Sequence, residues 1–280
     1  MNRINLRQFA AMLLIGDVFS LLCLGGEVTV ITAAGFTLAA AAEFLIMLPF
    51  ALYYRNGGKA GILAELILLA AIIVWTFEIF RMLWKMSGAV YVPFENGGGI
   101  LGKSAVTALI ALVCWYSASC GIKALGRASM IAAALGALCI SIVAVYALRY
   151  HDWESLIREG EGMSTGGEFI RGIRAGGGIA GGIVLLHLTG GSYVRNAAVY
   201  LFSKAAVTVV LILSAVLILG GIMPIADYSL LKAAQLSQPF PSQRIDALFL
   251  AAFSVYAVFT AAVQTAVAAH IVKDIAGKLK

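Results

Sequence analysis

Two acids stand where a membrane would make them expensive. Asp17 sits in Leu13-Leu-Ile-Gly-Asp-Val-Phe-Ser-Leu-Leu22, and Glu43 sits in Ala39-Ala-Ala-Ala-Glu-Phe-Leu45. A carboxylate in apolar surroundings must pair, protonate or face a polar cavity. Each therefore has two readings: a coupling-ion, proton or substrate-amine site, or a structural hydrogen bond to another helix. Gly16 beside Asp17, and Ser20 one turn on, complete the candidate surface of that segment. The third element of chemical interest is Arg171-Gly-Ile-Arg-Ala-Gly-Gly-Gly-Ile-Ala-Gly-Gly-Ile-Val-Leu-Leu-His187. Gly176, Gly177, Gly178, Gly181 and Gly182 fall within seven residues. Glycine weakens a helix by about 1 kcal/mol per residue relative to alanine. One reading is a broken helix whose freed backbone groups line a binding site near the bilayer midplane. The other is close helix packing, because Gly177/Gly181 and Gly178/Gly182 have small-xxx-small spacing.

The elements that must hold these residues follow from composition. Hydrophobic residues are 61% of the 280, charged residues 12%, and the mean hydropathy is +0.95. A soluble domain of this size needs a larger polar shell, whereas a bilayer supplies an apolar solvent. The expected architecture is all-α: one polytopic membrane domain over 1–280. Eight transmembrane helices are expected at about 6–25, 29–54, 61–85, 103–121, 127–149, 167–189, 198–222 and 246–271. Each is close to the roughly 20 residues that cross the hydrocarbon. The basic Met1–Arg7 followed by an apolar run looks like a signal peptide. Asp17 interrupts that run and no small-x-small cleavage site follows, so a first membrane helix is expected instead.

Charge distribution orients the map. With the N-terminus inside, that face carries Arg3, Arg7, Arg55, Lys59, Lys123, Arg127, Arg195, Lys204, Lys273, Lys278 and Lys280, with Asp274 as its acid. The other face holds Glu27, Glu95, Asp152, Glu154, Glu159, Glu161, Glu168 and Asp227, with Arg149, Arg158, Arg171 and Arg174 among them. The positive-inside rule then puts both termini in the cytoplasm. Trp75, Trp84, Trp115 and Trp153 are expected as interfacial anchors. The outer loops at about 149–166 and 223–245 have room for short interfacial helices. Glu65 and Glu78, near opposite ends of the third span, read as interfacial acids, and His187 as a packing residue.

Several function classes are set aside. The net charge of +6 comes from singly scattered basic residues, with no Lys/Arg run and no aromatic-basic interleaving, so nucleic acid is not an expected partner. Cys23, Cys114, Cys120 and Cys139 lack CxxC spacing and are expected as free, buried thiols. No cluster has metal-site spacing, and no cofactor is expected. GxSxG, HExxH, Walker and dinucleotide motifs are missing, so no enzyme is expected.

The order of several short motifs resembles a known family. Gly121-Ile-Lys-Ala-Leu-Gly-Arg-Ala-Ser129 opens the fifth span, and Tyr150-His-Asp-Trp-Glu-Ser-Leu156 follows it. Gln238-Pro-Phe-Pro-Ser-Gln-Arg-Ile-Asp-Ala-Leu-Phe-Leu250 precedes the eighth, and Ile4-Asn-Leu-Arg-Gln8 opens the chain. In this order they resemble the permease-like B subunit of spore germination receptors, within the amino acid–polyamine–organocation superfamily. The resemblance implies a LeuT-like fold of two inverted five-helix repeats, unwound in helices one and six. It also implies sensing of a nutrient, typically an amino acid, in a spore inner membrane or bacterial plasma membrane, alongside an A-type membrane subunit and a C-type lipoprotein. Against that ten-helix pattern the chain lacks the last two helices. Its first helix keeps only Gly16 of a glycine-x-glycine break, and Gly182 and Ile183 stand where the sixth often has an acid. The candidate ligand-contacting residues are Gly16, Asp17, Ser20, Glu43, Gly176, Gly177, Gly178, Gly181 and Gly182. An amino acid transporter and a non-transporting scaffold subunit are the rival expectations.

Overall fold

The computed structural model describes residues 4–58, 61–90, 100–149, 154, 164–176, 178–189, 192–220, 228–237 and 246–279. They form ten helices: α1 Leu6–Leu22, α2 Val30–Arg55, α3 Ile62–Val90, α4 Ile100–Ser119, α5 Ile122–Arg149, α6 Thr165–Ala175, α7 Ile179–His187, α8 Tyr193–Leu219, α9 Ser229–Leu236 and α10 Asp246–Lys278. The all-α expectation holds for the described residues, whose only β pairing is two isolated bridges, Ile4 with Thr189 and Gly26 with Tyr228.

Local sequence accounts for several helix ends. Gln8 accepts from the Asn5 N–H at 3.0 Å and so holds the start of α1. Thr29 and Thr32 exchange backbone and hydroxyl hydrogen bonds at the start of α2. Gly121 takes φ +88° between α4 and α5, a left-handed turn that side chains disfavour. Pro49 lies inside α2 without ending it.

Five helices are long and apolar enough to cross a membrane: α2, α3, α5, α8 and α10. The α6–α7 pair, bent by 50°, makes a sixth candidate. Helices also cover the expected first and fourth segments, but α1 has 17 residues, and neither it nor α4 is among the helices that qualify. The outward faces carry Leu63, Phe77, Trp115, Ile131 and Phe202, each more than two-thirds exposed. Exposed apolar area on this scale calls for lipid. The chain is a multi-pass membrane protein.

The centre is built around α1. Phe9, Met12, Ile15 and Phe19 are fully buried, and α1 packs on α5, α8 and α10. Helix α7 buries Ile183 to Leu186 without interruption. On one side α2 packs on both α8 and α6. The α2–α6 approach is close because Gly35 faces the Glu168 backbone and Gly172 faces Phe36 and Ala39. A helix does occupy part of the 223–245 loop. It is α9, and it buries Leu230 and Leu231 against the bundle instead of lying at a free interface. The 149–166 loop falls almost wholly outside the described residues.

Arg171 ties the α1–α2 connection to α6. It donates to the Gly25 carbonyl and, at 2.9 Å, to the Glu27 carbonyl, and it pairs with Glu168 at 3.3 Å. Arg171→Ala is expected to cost about 1.5–3 kcal/mol, the range for hydrogen bonds to a charged group. A fall in Tm with faster proteolysis around Gly25–Glu27 would register it; an unchanged Tm and cleavage rate would refute it.

Candidate functional site

The two acids singled out in the sequence meet at one cation. Asp17 comes from α1, Glu43 from α2 and Lys204 from α8. Lys204 Nζ lies 3.0 Å from Asp17 Oδ1 and 2.5 Å from Glu43 Oε2. The Tyr200 hydroxyl, one turn before Lys204, donates to Asp17 Oδ2 at 2.7 Å. All four side chains are buried: Asp17 is 7% exposed, Glu43 1%, Lys204 8% and Tyr200 4%. Ions so removed from water are tolerated only when paired and hydrogen-bonded. One atom is not satisfied. Glu43 Oε1 is buried and has no hydrogen-bond partner.

This corrects the reading of Lys204 as an inner-face topology charge. The expected seventh span began at 198, which left Lys204 near its end. Helix α8 begins at Tyr193, so Lys204 lies well inside it and points into the bundle.

The glycine-rich segment does break. Helix α6 stops at Ala175 with Gly176 as its C-cap, and α7 restarts at Ile179 with Gly178 as its N-cap. Gly177 lies outside the described residues. The glycines also pack, so the two readings divide the segment between them. Gly176 is pressed against Glu43, where a Cβ would come within 1.7 Å of Oε1. Gly181 faces Gln264 of α10, where a Cβ would lie 2.6 Å from Oε1. Gly182 makes ordinary contact with Leu13 and Met47. The unwinding implied for the first helix is not present, because α1 runs unbroken through Gly16 and Asp17. A single glycine does not interrupt it, and Ser20 donates to the Gly16 carbonyl at 2.9 Å.

Beside the charge cluster lies a small cavity lined by Gly16, Asp17, Trp75, Gly178, Tyr200 and Gln264, among others. Its volume is about 10 Å³, room for about one water molecule. Gln264 is 4% exposed and its Oε1 has no partner. The first N–H groups of α7 also lie beside Gly178 and have no partner within their helix. The cavity thus joins a carboxylate, a phenol, a primary amide and a helix start. That set can receive a small zwitterion, though not at the present volume.

Larger cavities open at the two ends of α1. Near its start, where Ile4 bridges to Thr189, a cavity of about 630 Å³ is lined by His187, Tyr193, His270, Lys273 and Asp274, with others. Near its end a cavity of about 540 Å³ is lined by Ser20, Trp75, Arg81, Lys85, Arg171 and Arg174, with others. Trp75 lines both this second cavity and the small central one.

Of the candidate residues, Asp17, Glu43 and Gly176 come together at Lys204, and Gly16 and Gly178 border the adjacent cavity. Gly181 reaches it through Gln264. Ser20 faces the larger cavity at the end of α1, and Gly182 serves packing. Lys204, Tyr200, Gln264 and Trp75 were not foreseen as site residues. Glu65 pairs with Lys278, which also lies 3.2 Å from Asp274, and Glu78 pairs with Arg81 at 2.6 Å beside the cavity at the end of α1. His187 packs on Tyr54 with ring centroids 4.7 Å apart. The four cysteines are free, but only Cys114 and Cys139 are buried; Cys120 is exposed on the apolar surface. Among the described residues no group of three or more His, Cys, Asp or Glu could hold a metal.

No protein-family model and no curated protein sequence matches the chain.

Proposed function

We propose that this chain is a permease-like membrane subunit that senses a small nutrient, an amino acid, at the break in its sixth span. The observation that carries this reading is the cavity at the α6–α7 break, bounded by Asp17, Gly178, Tyr200 and Gln264. The N–H groups at the start of α7, which have no partner within their helix, suit the ligand's carboxylate. Asp17 suits its amine, because a carboxylate bonded to Lys204 and Tyr200 still has acceptor capacity. Ligand sites run to about 300–1,000 Å³, so this conformation is the closed one, and binding requires α6 and α7 to move about their glycine hinge.

The rest of the reading draws on the motif resemblance. Eight spans with both termini cytoplasmic, arranged as in a LeuT-like inverted repeat, account for the central α1 and the broken sixth span. The role is that of the B-type subunit of a spore germination receptor, acting with an A-type membrane subunit and a C-type lipoprotein. Ligand binding would shift a conformational equilibrium that those partners read.

A thermal-shift screen of the purified protein against amino acids, sugars and nucleosides tests this. A ligand at 100 times its Kd stabilises the fold by about 2.7 kcal/mol. Stabilisation by one chemical class, lost in Asp17→Asn, is expected. No shift in a well-folded sample would sink the sensor and favour a scaffold subunit.

One observation favours a second reading. Open cavities at both ends of α1, with a closed site between them, also suit an alternating-access amino acid transporter. Counterflow uptake into proteoliposomes separates the two, since a pure sensor moves no substrate.

A further inference from the structure

The charge cluster is one proton short of neutrality. Two carboxylates face one ammonium, so with every group ionised Asp17, Glu43 and Lys204 carry a net charge of −1 in a buried site. Low-dielectric surroundings penalise that surplus heavily. The hydrogen bonds show where it falls. Asp17 receives Lys204 at Oδ1 and Tyr200 at Oδ2. Glu43 receives Lys204 at Oε2 only, and its Oε1 is buried without a partner.

Glu43 Oε1 is also pressed against the carboxyl-terminal end of α6, at Gly176. The last carbonyls of a helix have no intrahelical donor, and they make that end partially negative. A carboxylate there is repelled. A carboxylic acid can donate its hydrogen to one of those carbonyls. Among the described residues, the charged or titratable groups facing Glu43 are Lys204 and Tyr200 of α8 and Asp17 of α1. Helix α6 presents backbone.

We propose that the Asp17–Lys204–Glu43 cluster is a proton-binding site, that Glu43 Oε1 takes the proton, and that the end of α6 is held or released by it. The proton comes from water reaching the site and returns to water. With it bound, the neutral acid tethers α6 to α2. Without it, the surplus charge pushes against the α6 end and loosens the hinge at Gly176. Lys204 is the resident cation of the cluster and balances Asp17. The proton therefore biases the same hinge that ligand binding is proposed to use, so this inference deepens the proposed function and rests on it for its consequence. Proton binding itself does not.

Infrared pH titration in nanodiscs, read as the difference between the wild-type protein and Glu43→Gln, tests the site. A protonated-carboxyl stretch that titrates as one proton is expected. It should shift when glutamate carboxyls carry ¹³C and stay fixed when aspartate carboxyls do. Asp17→Asn, which cancels the surplus charge, should move the titration to lower pH. No difference in carboxyl stretches between the wild type and Glu43→Gln at any pH, or a difference band that follows the aspartate label, would overturn the proposal. The ligand screen fails or succeeds separately. A Glu43 titration without any ligand shift keeps the proton site and removes the amino acid, and a ligand shift without the titration does the reverse.

Discussion

Lys204→Met is expected to be the most damaging single substitution in the chain. It removes the only cation contacting Asp17 and Glu43 among the described residues, and it leaves two carboxylates buried side by side. Removing one partner of a buried ion pair costs about 3–5 kcal/mol, because the remaining charge is uncompensated. With Glu43 deprotonated two charges remain and repel, and with it protonated Asp17 is still uncompensated. The variant should lose most of its folded, monodisperse fraction in detergent and melt well below the wild type. The cause is testable by compensation. Adding Asp17→Asn and Glu43→Gln to Lys204→Met removes every charge at nearly constant volume, and should restore most of the lost Tm. Replacing buried ion pairs by neutral groups is often close to neutral for stability. If Lys204→Met alone melts like the wild type, the cluster is not the central tie between α1, α2 and α8. If the triple variant is no better than the single one, the Lys204 stem, not its charge, is what matters.

The sequence disclosed half of this cluster. Asp17 and Glu43 stand out because nothing polar surrounds them, and the cost of burying a carboxylate marks them in any apolar span. Lys204 was hidden by a boundary. Starting the seventh span five residues late placed it near the membrane surface, where lysines are ordinary. The missed signal was periodic. Asn196, Tyr200, Lys204 and Thr208 recur every four residues, and all are buried on one face of α8. Tyr256, Thr260 and Gln264 do the same on α10. A polar stripe at helical spacing inside an apolar helix faces protein, not lipid. The glycine run was legible as a break because five glycines exceed what one packed face needs. Which glycine seats which partner was not, since that depends on helices more than a hundred residues apart in sequence meeting at Glu43. The unbroken α1 shows the limit of a motif. One glycine with a hydrogen-bonded carbonyl keeps its helix, whatever the resemblance implies.

Gly176→Ala should do most of its harm through Glu43, which makes it a sharp test of the hinge. The added Cβ would fall 1.7 Å from Glu43 Oε1 and 2.8 Å from Lys204 Nζ, so something must shift. The carboxylate cannot leave for water, because Glu43 is 1% exposed. Either it swings off Lys204 or the end of α6 backs away from α2. Overpacking of this kind costs about 1–3 kcal/mol. Gly35→Ala strains the same α2–α6 contact elsewhere, against the Glu168 side chain and backbone, without touching the charges. The two glycines should therefore part company when Glu43 is shortened. In a Glu43→Ala background the obstructing oxygen is gone, and Lys204 and Asp17 remain as a neutral pair. There Gly176→Ala should cost much less, with only the flexible end of Lys204 left to shift, while Gly35→Ala keeps its full cost. A double-mutant cycle on Tm or denaturant midpoint should thus give a coupling of about 1–3 kcal/mol between positions 176 and 43, and close to zero between 35 and 43. Equal coupling at both glycines would mean that α6 answers to packing in general. Coupling confined to Gly176 would mean that the carboxylate of Glu43 sets where the broken helix rests.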